Sequence, residues 1–351
     1  MKKFLLGLLA IVIILLSGTA VWFTMTFRTQ YEAAESIRMV EDGMYEYFYE
    51  GDAGLDLLLS RGGAKNSADI AVFATEYLSH GFAHLNLKSS EFGCSTVNAV
   101  KTNGTLLTAR NFDWPQDDGD MVIIHNRPAD GYASVATFNV SFFKFGDDFK
   151  PETMTQKFMM LGSIYVALDG MNEKGLFVAD LVAGDDEETH QTGRESNVTT
   201  SLAIRLLLDR ASNVEEALDL LGRYNMHSDI NLAHHLSISD SKGRCVVVEW
   251  VDNQMYVTDS PVCTNHYLAD SPKLKTQEVH ANSQERYDTL QSQLNKKTYE
   301  TLQDITESIA SVSNPNTRWS VVYDRENLTA TYYQNADFSH PYVASIATSS
   351  R

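Results

Sequence analysis

The chain has 351 residues, 43% of them apolar, which is enough for one large core or two modest domains. A formal net charge of -18 argues against nucleic acid or an anionic membrane surface as a partner. Its 3 cysteines, Cys94, Cys245 and Cys263, are too few and too far apart for a disulfide framework, and the lack of any CxxC argues against a structural zinc site.

The chain opens "MKKFLLGLLAIVIILLSGTAVWFTMTFRTQ", in which Lys2 and Lys3 precede 24 uncharged residues, Phe4 to Phe27. A cleaved signal peptide has a shorter apolar region, whereas spanning a bilayer takes about 20 residues. Gly18-Thr19-Ala20 offers a cleavage site, but the apolar run continues past it. Residues 1–27 are therefore expected to be an uncleaved signal anchor with its basic end inside, so that the protein is a single-pass membrane protein with an extracellular catalytic domain. If the signal is cleaved instead, the protein is secreted.

Residues 28–93 read as a separate helical segment. Apolar and aromatic residues recur at helical spacing in "YEAAESIRMVEDGMYEYFYE" and again in "SADIAVFATEYLSHGFAHL", with Asp52 and Ser67 as N-cap candidates. From Cys94 the pattern changes to strands. "TVNAV" and "TLLTAR" flank Asn103-Gly104, a strong hairpin signal. "MVIIHN", "YASVATFNV", "GSIYVAL" and "LFVADLV" follow, the last after the turn "GMNEKG". Two helices come next, the second with Ser212 and Glu215 as a capping box. Strands "HHLSISD", "RCVVVEW" and "QMYVT", two more helices and a closing hairpin complete an α+β order, not a doubly wound sheet.

A two-residue turn at Asn103-Gly104 would make paired positions sum to 207, placing Asp113 directly across from Cys94 and Arg110 on the opposite face. A bulge would then be needed to bring the guanidinium round. Cys94 lacks a papain-like histidine context. The alternative base is its own α-amine, which requires Cys94 to begin the mature chain and the Gly93–Cys94 bond to be cut.

"GCSTVNAVKTNGTLLTARNFDW", with Arg 16 and Asp 19 positions after Cys, resembles the start of the choloylglycine hydrolase family. These linear amide C–N hydrolases are N-terminal-nucleophile hydrolases and include bile salt hydrolases and penicillin V acylases; acid ceramidase is similar more distantly. "DGMNEKGL" (169–176) and "VCTNHYL" (262–268) are similar to two further family segments. The resemblance implies a four-layer αββα sandwich over 94–351, preceded by the anchor (1–27) and a helical pro-segment (28–93). It implies Cys94 as nucleophile and, through its amine, base; Asp113 orienting that amine; and Arg110 favouring the thiolate. Asn265 and the backbone N–H of Val182 would receive the oxyanion, and Arg286, opening a helix, would be the last site residue, with Arg318 as its rival.

The implied substrate is a small N-acyl amide such as a conjugated bile salt, penicillin V or a fatty acyl amide, with no cofactor or metal; homo-oligomerisation stays open. Two other functions remain open: an acyltransferase on the same fold, and a noncatalytic surface module in which Cys94 is never freed. Asn172 is expected to be a turn former with positive φ, Cys245 and Cys263 core thiols, and 185–188 a solvated acidic loop. His234 and His235, adjacent in a strand, point to opposite faces and make a poor metal pair. Phe142, Phe143, Phe145 and Phe149 suggest an apolar acyl pocket, or equally core packing.

Overall fold

The protein is described by a computed structural model over residues 26–81, 93–114, 120–143, 149–184, 189–229, 232–270 and 282–346. A first helix, α1, covers 26–36. It is followed by β1 (Arg38–Glu41), β2 (Met44–Glu50), α2 (Leu55–Ser60), α3 (Ser67–Ser79), β3 (Gly93–Val100), β4 (Leu106–Asp113), β5 (Met121–Arg127) and β6 (Ser134–Asn139). The middle of the chain forms α4 (Met154–Met160), β7 (Asp169–Asn172), β8 (Phe177–Gly184), β9 (Ser196–Thr199), α5 (Thr200–Arg210), α6 (Val214–Leu221), β10 (Tyr224–His227) and β11 (Ala233–Ser239). The last part supplies β12 (Cys245–Val251), β13 (Gln254–Asp259), β14 (Val262–Cys263), α7 (Ser283–Lys296), α8 (Leu302–Ala310), β15 (Thr317–Asp324), β16 (Thr329–Gln334) and β17 (Tyr342–Ser345).

These strands build a 9-stranded sheet, β1-β2-β5-β6-β7-β8-β11-β12-β13, a 6-stranded sheet, β14-β3-β4-β15-β16-β17, and a small parallel pair of β9 and β10. Side chains alternate across each strand, so each sheet has two apolar faces to cover. On the outer face of the smaller sheet, Val97, Ala99, Leu107, Ala109 and Val322 pack with Leu290 of α7 and Ile305 and Ile309 of α8. On the larger sheet, α5 lies against β7, β8 and β11. The inner faces meet each other, and hydroxyl contacts cross between them: Thr96 Oγ1 to Ser237 Oγ at 2.9 Å and Thr108 Oγ1 to Ser239 Oγ at 3.3 Å. The layers run helix, sheet, sheet, helix.

The helical reading of 28–93 holds for α1, α2 and α3 but fails for 38–50. There "MYEYFYE" is a strand, because Tyr45, Tyr47 and Tyr49 recur every second residue and are all buried. Period-two aromatic burial outweighs the helical spacing read across the whole stretch. β2 pairs in parallel with β5 and lies between β1 and β5, so this segment is woven into the main sheet. "GSIYVAL" is also not a strand: 161–165 forms a 3-10 turn, held in part by Ser163 Oγ donating to the Met160 carbonyl at 2.8 Å.

Cap assignments shift by one or two residues. Asn66 caps α3 in place of Ser67, Gly54 precedes α2 in place of Asp52, and Asn213 with Glu216 replaces Ser212 with Glu215 at α6. Asn172 does organise its turn, accepting from the N–H groups of Lys174 and Leu176 at 3.1 Å, but the left-handed residue there is Gly175 (φ 81). Among the described residues no helix is long and apolar enough to cross a membrane. The expected anchor falls on residues 1–27, of which 1–25 lie outside the described residues.

Glu46 of β2 ties this segment to both sheets. Its side chain accepts from Arg38 Nε at 2.7 Å, His125 Nε2 at 3.2 Å and Tyr342 Oη at 2.8 Å. Burial alone would push this carboxyl up, but the bonds from His125, Arg38 and Tyr342 outweigh it and hold it at about 2, below the usual 4.5. A depressed folded pKa stabilises the fold above the unfolded value and loses that contribution as pH falls through the folded one. Glu46→Gln should therefore lose about 1–3 kcal/mol at neutral pH in urea unfolding, with a gap to the parent that narrows below pH 4.5. A gap independent of pH would contradict the account.

Candidate active site

The β3–β4 hairpin loop is one residue longer than a two-residue turn and begins one residue earlier, at Thr102. Gly104 N–H donates to the Lys101 carbonyl at 2.9 Å and Lys101 N–H to the Thr105 carbonyl at 2.8 Å, leaving a three-residue loop with Gly104 at φ 88. Glycine adopts that left-handed backbone without the strain a side chain would bring. Cys94 consequently pairs with Phe112, Thr96 with Arg110, and Gly93 with Asp113. The expected Cys94–Asp113 pairing is thus corrected by one residue, and a one-residue slip exchanges the faces. Arg110 stands on the same inner face as Cys94 with no bulge, and Asp113 turns to the outer face.

Arg110 is fully buried between the sheets. Its Nη2 donates to Cys94 Sγ at 3.4 Å and to the Asp180 carbonyl at 2.9 Å, and its Nη1 bonds Asp169 Oδ2 at 2.5 Å and the Leu168 carbonyl. Burial disfavours the charge, but Asp169 and then Cys94 outweigh it and raise the guanidinium above its ordinary value. Burial pushes the Cys94 thiol up, and Arg110 pulls it down. A buried thiolate would therefore meet a fixed cation on its inner side.

On the outer side a second guanidinium arrives from α7. Arg286 Nη1 donates to Ser95 Oγ at 2.6 Å and to the Cys94 carbonyl, and Nη2 to Asn265 Oδ1 at 2.8 Å. Burial lowers the Arg286 pKa, against Asp113 and Cys94. Asn265 follows β14 and is fully buried. Its Oδ1 also accepts from the Cys94 backbone N–H at 2.7 Å, and its Nδ2 donates to the Val182 carbonyl at 2.9 Å. That leaves the second Nδ2 hydrogen available to a reacting oxygen.

Asp113 accepts from Thr317 Oγ1 at 2.6 Å and Asn314 Nδ2 at 2.8 Å. Burial raises this carboxyl, and Thr317, Arg286, Asn314 and Arg110 lower it. Arg318, the rival arginine, lies in β15 and donates from Nε to the Trp114 carbonyl at 2.8 Å. The structure thus brings Cys94, Arg110, Val182, Asn265 and Arg286 together, with Asp113 beside Gly93 on the outer face.

Sequence reasoning overlooked Asp169, the counter-ion of Arg110, although it is the first residue of "DGMNEKGL". It also overlooked Thr317 and Asn314, which hold Asp113 and carry no local signal. His234 and His235 do diverge, His234 Nδ1 to Asp180 Oδ1 at 2.8 Å and His235 Nδ1 to Glu249 Oε1 at 3.1 Å. Cys263 is buried as expected, whereas Cys245 is only partly covered. Phe142 and Phe143 pack in the core beside Phe138, and Phe142 also touches Trp114 and Phe112. Phe145 and the 185–188 run lie outside the described residues. Among those described, no group of three His, Cys, Asp or Glu is placed to hold a metal.

Two facing sheets between helical layers, with a cysteine opening an inner strand, define an N-terminal-nucleophile-type fold. Solved structures share it. Penicillin V acylase from Agrobacterium tumefaciens aligns at 18% identity and TM-score 0.50, over 71% of this chain and 84% of its own. Two variants of conjugated bile acid hydrolase from Clostridium perfringens align at 16% and 15% identity, both at TM-score 0.50 over 72% of this chain and 92% of theirs. The resemblance to choloylglycine hydrolases and their N-terminal-nucleophile relatives read from the sequence therefore holds. No curated protein matches the chain. The sequence model of the acyl-coenzyme A:6-aminopenicillanic acid acyl-transferase family matches residues 100–337, and the chain belongs to that family.

Proposed function

We propose that this chain is the exported precursor of a cysteine amidase, matured by cutting its own Gly93–Cys94 bond and acting on linear N-acyl amides. One observation carries the reading: both ends of one residue are held by polar side chains. Cys94 Sγ receives Arg110 at 3.4 Å, while Cys94 N donates to Asn265 Oδ1 at 2.7 Å. A cysteine whose nitrogen is as carefully placed as its sulfur is suited to use that nitrogen as a base.

In the uncut chain the nitrogen is an amide and accepts no proton, so cutting precedes turnover. Once freed, the amine takes the thiol proton and the sulfur attacks the substrate carbonyl carbon. The oxyanion accepts from Asn265 Nδ2 and from the Val182 N–H. Collapse breaks the C–N bond, the leaving amine takes the proton back from the Cys94 ammonium, and a thioester remains. Water, giving its proton to the same amine, then attacks the thioester and releases the acid. Arg110 stabilises the thiolate. Arg286, bonded to Asn265 Oδ1, polarises that side-chain amide toward better donation. Asp113 acts on the Cys94 amine from the outer face through its charge.

The 28–93 segment, a pro-segment in sequence, stays bound after cutting, because β2 is an interior strand and Glu46 links it to β5 and β17. The apolar start of the chain anchors the protein in the membrane or exports it. A second reading is acyl transfer to an amine, favoured by the family description. Products formed with and without an added amine acceptor separate the two.

The cut enzyme should hydrolyse members of a panel of penicillin V, glycine-conjugated bile acids and fatty acyl amides, and Cys94→Ala should hydrolyse none. Turnover by Cys94→Ala equal to the parent would overturn the cysteine mechanism. The two arginines should also separate. Arg286→Ala should lower kcat by about 2–4 kcal/mol, as for a preorganised electrostatic group. Arg318→Ala should cost about 1 kcal/mol, chiefly in stability or KM. The reverse ranking, at equal maturation, would show that the wrong arginine has been assigned.

A further inference from the structure

Behind the site lies a second thiol with a histidine and a carboxylate, and the proposed reaction uses none of them. Cys263 Sγ and His235 Nε2 are 3.3 Å apart, and His235 Nδ1 lies 3.1 Å from Glu249 Oε1. All three side chains are sealed from solvent, at 0% exposure. The carboxylate is also saturated. Its Oε1 accepts from the Leu268 N–H at 2.9 Å and its Oε2 from the Ala269 N–H at 2.6 Å. With Glu249 as acceptor, His235 carries its proton on Nδ1 and offers Nε2 to the Cys263 S–H.

The places this chain connects give it meaning. His235 and Glu249 face each other across β11 and β12 of the larger sheet. Cys263 belongs to β14 of the smaller sheet, and Leu268 and Ala269 follow it in sequence. Between these two anchor points lies Asn265. The other flank of the same segment is tied to the start of α7, where Ser283 Oγ bonds Thr264 Oγ1 at 3.0 Å and His266 Nδ1 at 2.8 Å. Val182, the partner oxyanion donor, sits on β8, next to β11 in the larger sheet. The two donors therefore come from different sheets, and the bond from Asn265 Nδ2 to the Val182 carbonyl at 2.9 Å keeps its geometry only while the 263–269 segment is held in place.

We infer that the buried Glu249–His235–Cys263 chain is a positioning device, holding the 263–269 segment so that the Asn265 amide keeps its distance from Val182. The inference rests on the proposed amidase reading for its kinetic consequence only; the placement of Asn265 is testable without any substrate. Glu249→Gln keeps the size but presents an NH2 to one of three donors, so one of the three bonds must break.

The Asn265 side-chain amide signal, assigned by its loss in Asn265→Ala, should move in Glu249→Gln, with faster hydrogen exchange at Leu268 and Ala269. In cut enzyme, kcat should fall about tenfold or more with KM little changed, since an oxyanion donor acts in the transition state. The loss should largely vanish when Glu249→Gln is added to Asn265→Ala, because the device then has nothing to position. Cys263→Ser, whose hydroxyl can still donate to His235, should stay close to the parent. If Glu249→Gln does not fold, Cys263→Ala serves as the same test with a single end link removed. An unmoved Asn265 signal, or an equal kcat loss in both backgrounds, would overturn the inference. Failure of the amidase reading would appear differently, as cut parent enzyme without turnover while the Asn265 signal still responds to Glu249→Gln.

Discussion

The register of one hairpin governs the rest of this site. Gly104 closes a three-residue loop, and every pair along β3 and β4 follows from it. With Thr96 opposite Arg110, the guanidinium shares the inner face with Cys94; one residue of slip would send it outward, into the helical layer. The same register turns Asp113 outward, toward Thr317 of β15 and Asn314. An inner cation for the sulfur and an outer carboxylate near the nitrogen are thus two consequences of a single turn.

Burying a full positive charge between two sheets is costly unless it is paired; the two Nη groups of Arg110 carry that pairing, and its buried Nε has no partner. Asp169 and the carbonyls of Leu168 and Asp180 answer Arg110, and Tyr323 Oη steadies Asp169 at 2.6 Å. Asn265 plays the matching part on the other side, linking Cys94 N, Arg286 and Val182 through one side chain. The geometry of the candidate site is therefore a product of the sheet sandwich: the side chains bonded to Cys94 come from β4, from the segment after β14 and from α7.

Much of this was legible in the sequence, for reasons that differ by residue. Cys94, Arg110 and Asp113 are encoded within one hairpin, so their nearness follows from local pairing, and only the turn length was misjudged. Asn103-Gly104 is compatible with two loop lengths, and the choice between them depends on the twist and packing of the flanking strands. Asn265 and Arg286 were recognisable from short segments, whereas Thr317, Asn314 and Glu249 reach the site through tertiary contacts that leave no local pattern. The strand β2 was missed because "YEYFYE" satisfies both a helical and a two-residue period, and burial against β5 decides between them. The same segment was expected to be a helical pro-segment, and the place of β2 inside the larger sheet gives it a structural part that composition could not express.

The central claim is that Cys94 works from the head of its own chain. Mass spectrometry and N-terminal sequencing of the purified, active full-length protein test it most directly. The account predicts two co-purifying chains, the second beginning at Cys94, and a single uncut chain for Cys94→Ala. Active protein in which Gly93 remains joined to Cys94 would contradict it.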